Sequence, residues 1–170
     1  DLQFTFIDQD IADLPAGIVL PQGREKPWGT AHVLYVLQKH VHSPFVIMNA
    51  DDFYGRPGIQ AVIESLREKP ANHVLAGYPL QRTLSQHVPV TRGVAEVRDG
   101  QLIAIEEVQK IAPDDKRQAL VSMNLWGFAP SVFALVEEAL ARFLRANLTV
   151  LTAEYQIPHL INDLLRASKI

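Results

Sequence analysis

The sequence contains no cysteine among its 170 residues, which excludes a disulfide-stapled scaffold and agrees with a reducing, cytoplasmic setting. It has no basic excess: 16 Lys and Arg stand against 19 Asp and Glu, for a formal net charge of −3. With those cations scattered rather than striped there is no electrostatic footprint for DNA or RNA. No apolar run approaches the roughly 18 residues that cross a membrane, so no membrane partner is expected. Asp1 to Asp10 lack the basic start and apolar centre of a signal peptide. Without an export signal, Asn147-Leu148-Thr149 carries little weight as a glycosylation acceptor. Internal repeats and low-complexity segments are also missing. The chain opens on Asp rather than Met and enters a β-like run at Phe4, Phe6 and Ile7 almost at once. The expectation is one domain over residues 1–170 that forms an incomplete portion of a longer chain.

What is present is 48% hydrophobic and 21% charged residues, enough for a core that needs no metal or crosslink. Short β-branched or aromatic runs alternate with longer amphipathic ones, the pattern of an α/β protein. Leu2 to Ile7 reads as a strand, and Asp8 to Lys26 as a loop punctuated by Pro15, Gly17, Pro21 and Gly23. Thr30 caps a predicted helix to about His40, with Ala31, Val33, Leu34, Leu37 and Val41 inward. Phe45 to Met48 reads as a buried strand, Gly58 to Lys69 as a helix stopped by Pro70, and His73 to Tyr78 as the next strand. Gly93 to Val97 and Leu102 to Val108 flank Arg98-Asp99-Gly100, whose Asp-Gly pair signals a hairpin. Leu120 to Phe128 is a further strand. Pro130 opens a helix with Val132, Phe133, Val136, Leu140, Phe143 and Leu144 inward, and Ile157 to Ala167 closes the chain as a helix. Trp126 and Phe128 read as core. The six His show no ligand spacing on one element, so surface or helix-end roles are expected.

Two loops carry the chemistry. Gly23 to His32 leads through Pro27-Trp28-Gly29-Thr30 into a helix start. A Gly there allows a flat ligand against bare backbone, and free N–H groups at the helix end suit an anion. The same pattern is also ordinary capping. The strand at Phe45 to Met48 ends in Asn49-Ala50-Asp51-Asp52, two adjacent carboxylates at a strand's carboxyl end. Ligands of open α/β sheets sit at such ends, and hard oxygen donors beside phosphate suit Mg²⁺. Turn capping is the alternative there.

Lys26-Pro27-Trp28-Gly29-Thr30-Ala31-His32, followed by Phe45-Val46-Ile47-Met48-Asn49-Ala50-Asp51-Asp52-Phe53-Tyr54-Gly55, closely resembles the sugar-phosphate nucleotidyltransferase family, the NDP-sugar pyrophosphorylases. The resemblance continues through Thr91 to Val97, Ile105-Glu106-Glu107, Ser122 to Phe128 and Glu154 to Pro158, in the family's order. It implies a three-layer α/β/α sandwich with a mixed, mostly parallel sheet. The implied reaction joins a nucleoside triphosphate to a sugar 1-phosphate, giving an NDP-sugar and pyrophosphate, with Mg²⁺ as cofactor. By resemblance, Asp51 and Lys26 are catalytic, and Asp51 and Asp52 hold the metal. Gln22, Arg24, Pro27, Trp28, Gly29 and Thr30 face the nucleotide. Gly93, Glu107, Lys110 and Asn124 face the sugar. The sequence departs from the family at Arg24, where many relatives carry a base-reading Gln, and at Val108, where many carry Lys. The family's opening Gly-rich, Arg-containing phosphate loop has no counterpart between Asp1 and Ile170. Two other readings compete: a non-catalytic nucleotide-sugar-binding domain, to which that absence lends weight, and a metal-dependent glycosyltransferase of similar fold, against which the motif order argues. The base, the sugar and any homo-oligomeric state are left open.

Overall fold

A computed structural model describes residues 3–170. Leu2, at the start of the expected first strand, lies outside the described residues. From Gln3 to Asp10 the backbone forms no strand, and Phe4 and Phe6 are 80% and 96% exposed. An apolar alternation becomes a strand only where an edge is present to pair with it. Ile7, Ile11, Leu14, Ile18 and Leu20 in this irregular opening segment lean on the main core instead.

Helix α1 spans Thr30–Leu37, with Gly29 rather than Thr30 at the capping position. Its buried residues are Ala31, His32, Leu34, Tyr35 and Val36, whereas Val33, Leu37 and Val41 are only half-buried. The expected stripe is replaced because α1 is covered both by later helices and by the opening segment, so no single face is left to water. His32 is therefore a core residue. Its Nε2 lies 2.7 Å from the Asp13 carbonyl and its Nδ1 3.1 Å from Gln9 Nε2. A carbonyl can only accept, so Nε2 carries the proton and Nδ1 accepts from Gln9.

Strand β1 (Phe45–Ile47), helix α2 (Gly55–Glu68) and strand β2 (Val74–Pro79) follow. A short 3₁₀ turn at Leu80–Arg82 leads to the hairpin β3 (Val90–Arg98) and β4 (Gln101–Ile111), then β5 (Leu120–Phe128). Helices α3 (Val132–Asn147) and α4 (Ile157–Arg166) complete the chain. The hairpin turns through Asp99 and Gly100 at φ 51 and 75, the backbone that an Asp-Gly pair accepts most readily.

The mixed, mostly parallel sheet that the family resemblance implies does not form: every strand pairing among the described residues is antiparallel. β1 and β2, joined by α2, run in the same direction, but β5 enters between them and pairs with both. Residues 126–127 of β5 meet β1 on one side and β2 on the other, while residues 120–122 meet β3 and β2. A periodicity reading treats the strands before and after a helix as neighbours; here a strand from later in the chain separates them.

Helix α2 covers one face of the sheet through Val62 and Leu66 on Leu125. Gly127 permits that approach, since a Cβ there would lie 2.8 Å from Val62 Cγ1. Helices α1, α3 and α4 cover the opposite face around Trp126 and Phe128. A third cluster of Leu80, Ile111 and Val121 holds the hairpin base. The outer edge of β4 is blunted by α4, where Asn162 accepts from the Ile105 N–H at 2.8 Å and donates to the Ile105 carbonyl. One side chain thus mimics a neighbouring strand, a device against edge pairing.

Candidate functional site

The site arises from a fault in the pairing of β5. Between the pairs Leu75–Trp126 and Gly77–Ser122, β2 advances by two residues while β5 advances by four. The excess is taken up in a bulge at residues 123–125, where Asn124 sits at φ 62. Asn is one of the few residues that tolerate this conformation, and such bulges recur beside functional sites. Its N–H donates to Ser122 Oγ at 3.1 Å. On the other flank, β3 pairs only with Leu120–Ser122 and β1 only with Trp126–Phe128. The bulge has no strand neighbour on that side, and a cavity of about 280 Å³ opens there.

From β5 the wall receives Ser122, Met123 and Asn124; from the hairpin, Thr91, Arg92, Gly93 and Glu107. Asn49 and Asp52 come from the loop after β1, and Thr30, Gln156 and Pro158 close the remaining side. Register makes Glu107 the cross-strand partner of Gly93. A Cβ on Gly93 would lie 2.9 Å from Ile105 Cδ1, so the bare backbone there also serves the hairpin's own close contact. Arg92 donates from Nη1 to the Thr91 carbonyl at 2.8 Å and from Nη2 to the Thr83 carbonyl at 2.6 Å, while its Nε is buried without a partner. The second of these contacts ties the start of β3 to Thr83, just after the 3₁₀ turn.

The Asn49–Asp52 loop is fixed from below. Asn49 Nδ2 donates to Asp52 Oδ2 at 2.8 Å, and the Asn49 backbone N–H donates to the Tyr54 hydroxyl at 2.8 Å. Burial raises the Tyr54 pKa, the Asn49 N–H opposes that rise, and Asp52 adds to it. On the far wall, Thr30 donates to Gln156 Oε1 from both N and Oγ1, at 3.2 and 2.9 Å, and its Oγ1 accepts from the Ile157 N–H at 2.9 Å. Gln156 Nε2 in turn donates to Glu154 at 2.6 Å.

Among the described residues no cluster of three His, Asp or Glu forms a ready-made metal cage. Mg²⁺ does not require one, because it usually takes one or two protein carboxylates and completes its shell with phosphate oxygens and water. Asp52 and Glu107 in one wall fit that donor set.

Of the residues singled out in the sequence, the cavity brings together Thr30, Asp52, Gly93, Glu107 and Asn124. The others lie outside its wall. Asp51, Gln22, Pro27 and Lys110 are exposed, and Lys26 is ion-paired with Glu154. Arg24 is 4% exposed and fully committed to carbonyls: Lys26 (2.5 Å), Pro27 (2.8 Å), Ala153 (2.6 Å) and Val150 (3.2 Å). Its guanidinium lies 3.6 Å from the centre of the Trp28 ring, and burial lowers its pKa against the pull of Glu154. Trp28 is 0% exposed and donates to the Ile11 carbonyl at 3.0 Å. The backbone of Gly29 is covered by Tyr155, whose carbonyl oxygen would lie 2.5 Å from an added Cβ. Asn49, Thr91, Arg92, Ser122 and Gln156 line the cavity although sequence reasoning gave them no role; each lies inside a quoted motif, but nothing in a motif says which member faces inward.

No family model matches the chain, and no curated protein matches it. Among solved structures it is similar to a UDP-glucose pyrophosphorylase complexed with UDP-glucose, with a TM-score of 0.51 at 18% identity over 86% of this chain and 54% of that one. An apo UDP-glucose pyrophosphorylase aligns with a TM-score of 0.42 at 20% identity, over 68% of this chain and 43% of that one. The chain thus spans about half of the complexed pyrophosphorylase, 54%, and the likeness is one of fold.

Proposed function

We propose that this chain carries the sugar-binding part of a nucleotidyltransferase that joins a nucleoside triphosphate to a sugar 1-phosphate. One observation carries the reading: Thr30, Asp52, Gly93, Glu107 and Asn124, from motifs far apart in sequence, converge on a single polar cavity. The fold likeness to a pyrophosphorylase complexed with UDP-glucose supports it. At about 280 Å³ the cavity sits just below the range of roughly 300–1,000 Å³ that takes whole drug-sized ligands. It suits a sugar and its phosphate, with the base outside. Glu107 accepts from sugar hydroxyls, Asn124 offers an amide, and the bare backbone of Gly93 admits the ring.

In the proposed reaction a sugar-phosphate oxygen attacks the α-phosphorus of the triphosphate, the bond to the β-phosphate breaks, and pyrophosphate leaves. Asp52 would hold Mg²⁺ from the cavity wall, and the ion when bound supplies neutralisation of the phosphate charge; Asp51 next to it is exposed outside that wall. Lys26, with the exposed Gln22 and Pro27, is assigned to the nucleotide side, outside the cavity wall.

The test is calorimetric titration with UDP-glucose, with and without Mg²⁺, on the wild type, Glu107→Gln and Asn124→Ala. Saturable Mg²⁺-dependent binding is expected, weakened about tenfold or more in Glu107→Gln, since one hydrogen bond to a charged group is worth about 1.5–3 kcal/mol, and about two- to tenfold in Asn124→Ala, since a neutral one is worth about 0.5–1.5 kcal/mol. Binding unaffected by both substitutions, or no binding of any nucleotide sugar or sugar phosphate, would refute the proposal.

A further inference from the structure

We infer that Tyr54 is the positioning residue for the Asp52 carboxylate, acting through Asn49. The inference rests on the reading of the cavity as a metal-assisted nucleotide-sugar site. The Tyr54 ring is 6% exposed and lies among Val62, Leu66 and Leu125, so its hydroxyl has little freedom. That hydroxyl accepts from the Asn49 N–H at 2.8 Å and reaches the Met123 carbonyl at 2.9 Å and Asp52 Oδ2 at 3.4 Å. It has one proton to give, and the shorter contact takes it. One oxygen therefore pins the loop after β1 to the β5 bulge across the crevice.

Asn49, held by its backbone, turns its side-chain amide to Asp52 at 2.8 Å. The order of action is hydroxyl, Asn49 backbone, Asn49 amide, Asp52 carboxylate. Without the hydroxyl, the Asn49 N–H and the Met123 carbonyl both lose their partner at the cavity wall, and the carboxylate loses the fixed support of its donor. Groups that orient a metal-binding carboxylate commonly govern metal affinity about 10- to 100-fold.

A control is built into the same cluster. Tyr78 donates its hydroxyl to the Tyr54 carbonyl at 2.9 Å and has no hydrogen bond to Asn49 or Asp52. Tyr78→Phe therefore removes a similar hydroxyl without breaking the relay.

The experiment has two arms. In the ligand-free protein, the side-chain amide signals of Asn49 are followed by ¹⁵N NMR as Asp52→Asn is introduced. A response in the wild-type background that is lost in Tyr54→Phe supports the relay; an undiminished response in Tyr54→Phe overturns it. In the second arm, the Mg²⁺ concentration for half-maximal UDP-glucose binding is measured. It is expected to rise about tenfold in Tyr54→Phe, to stay unchanged in Tyr78→Phe, and to show no further loss when Tyr54→Phe is added to Asp52→Asn. Asn49→Ala, which keeps ring and hydroxyl, should match Tyr54→Phe. A Tyr54→Phe protein with a lower melting temperature and wild-type Mg²⁺ dependence would make Tyr54 merely structural. If the wild type binds no UDP-glucose, the nucleotide-sugar reading fails, and the amide measurement still decides the role of Tyr54.

Discussion

Replacing Gly29 by Ala is expected to unfold the junction between α1 and the segment before α4, and the magnitude follows from contacts on both sides of that residue. Gly29 sits at φ 94 and ψ 178, a region essentially closed to side-chain-bearing residues, costing about 1–3 kcal/mol. The new Cβ would also lie 2.5 Å from Tyr155 O and 2.8 Å from Tyr155 N and C. These are backbone atoms with no rotamer to move. They carry two hydrogen bonds, Tyr155 N–H to the Trp28 carbonyl at 2.7 Å and Ala31 N–H to the Tyr155 carbonyl at 2.9 Å. Relieving the clash breaks or stretches both, at about 1 kcal/mol each. The sum, roughly 3–5 kcal/mol, is a large share of the 5–15 kcal/mol that holds a domain folded. At about 2–4 °C per kcal/mol for a chain of this length, the melting temperature should fall by roughly 6–20 °C. Gly17→Ala is the control: its φ is 78 but an added Cβ meets nothing within 4 Å, so it isolates backbone strain from collision. Scanning calorimetry on both variants decides the matter. Equal falls for Gly17→Ala and Gly29→Ala would refute the collision argument. A Gly29→Ala protein with wild-type stability that has lost nucleotide affinity would make Gly29 a ligand platform instead of an internal junction.

Other outcomes follow from the same structure. Asn162→Ala leaves the Ile105 N–H and carbonyl without their partner on the β4 edge; a loss of about 1–3 kcal/mol in urea unfolding is expected, together with a greater tendency to self-associate, and an unchanged midpoint would count against the capping role. Burial holds the pKa of His32 below its ordinary value, with Asp13 and Asp10 opposing, and burial does the same for His73. Both are neutral when folded and gain a proton more readily when unfolded, so their contribution is present above about pH 6.5 and is lost as pH falls below it. Stability should decline from pH 7 to 5.5, and His32→Gln should flatten that slope; the same slope in the variant would exclude His32 as a cause.

The sequence by itself determined the elements whose signals are local. β5 was predicted at Leu120–Phe128 and occupies those residues, the Asp99-Gly100 turn forms where its chemistry demands positive φ, and α4 ends one residue from its expected limit. Periodicity reports which residues seek burial, and turn residues report which backbone angles are affordable; neither needs a partner to be known. Tertiary structure decided everything that depends on a partner. Whether β1 and β2 lie side by side depended on β5, which follows them in the chain and separates them. Whether Phe4 to Ile7 became a strand depended on an edge that the described residues do not offer it. Gly29 and Arg24 looked like ligand residues because open backbone and a guanidinium suit a nucleotide, yet Tyr155 covers the one and the carbonyls of Lys26, Pro27, Val150 and Ala153 occupy the other. Within Asp51-Asp52 the choice of which carboxylate faces the cavity rested on Tyr54 and Asn49, which orient the loop from beneath. A motif fixes the chemical types at hand, and the direction each side chain takes is set by long-range contacts that no local pattern encodes.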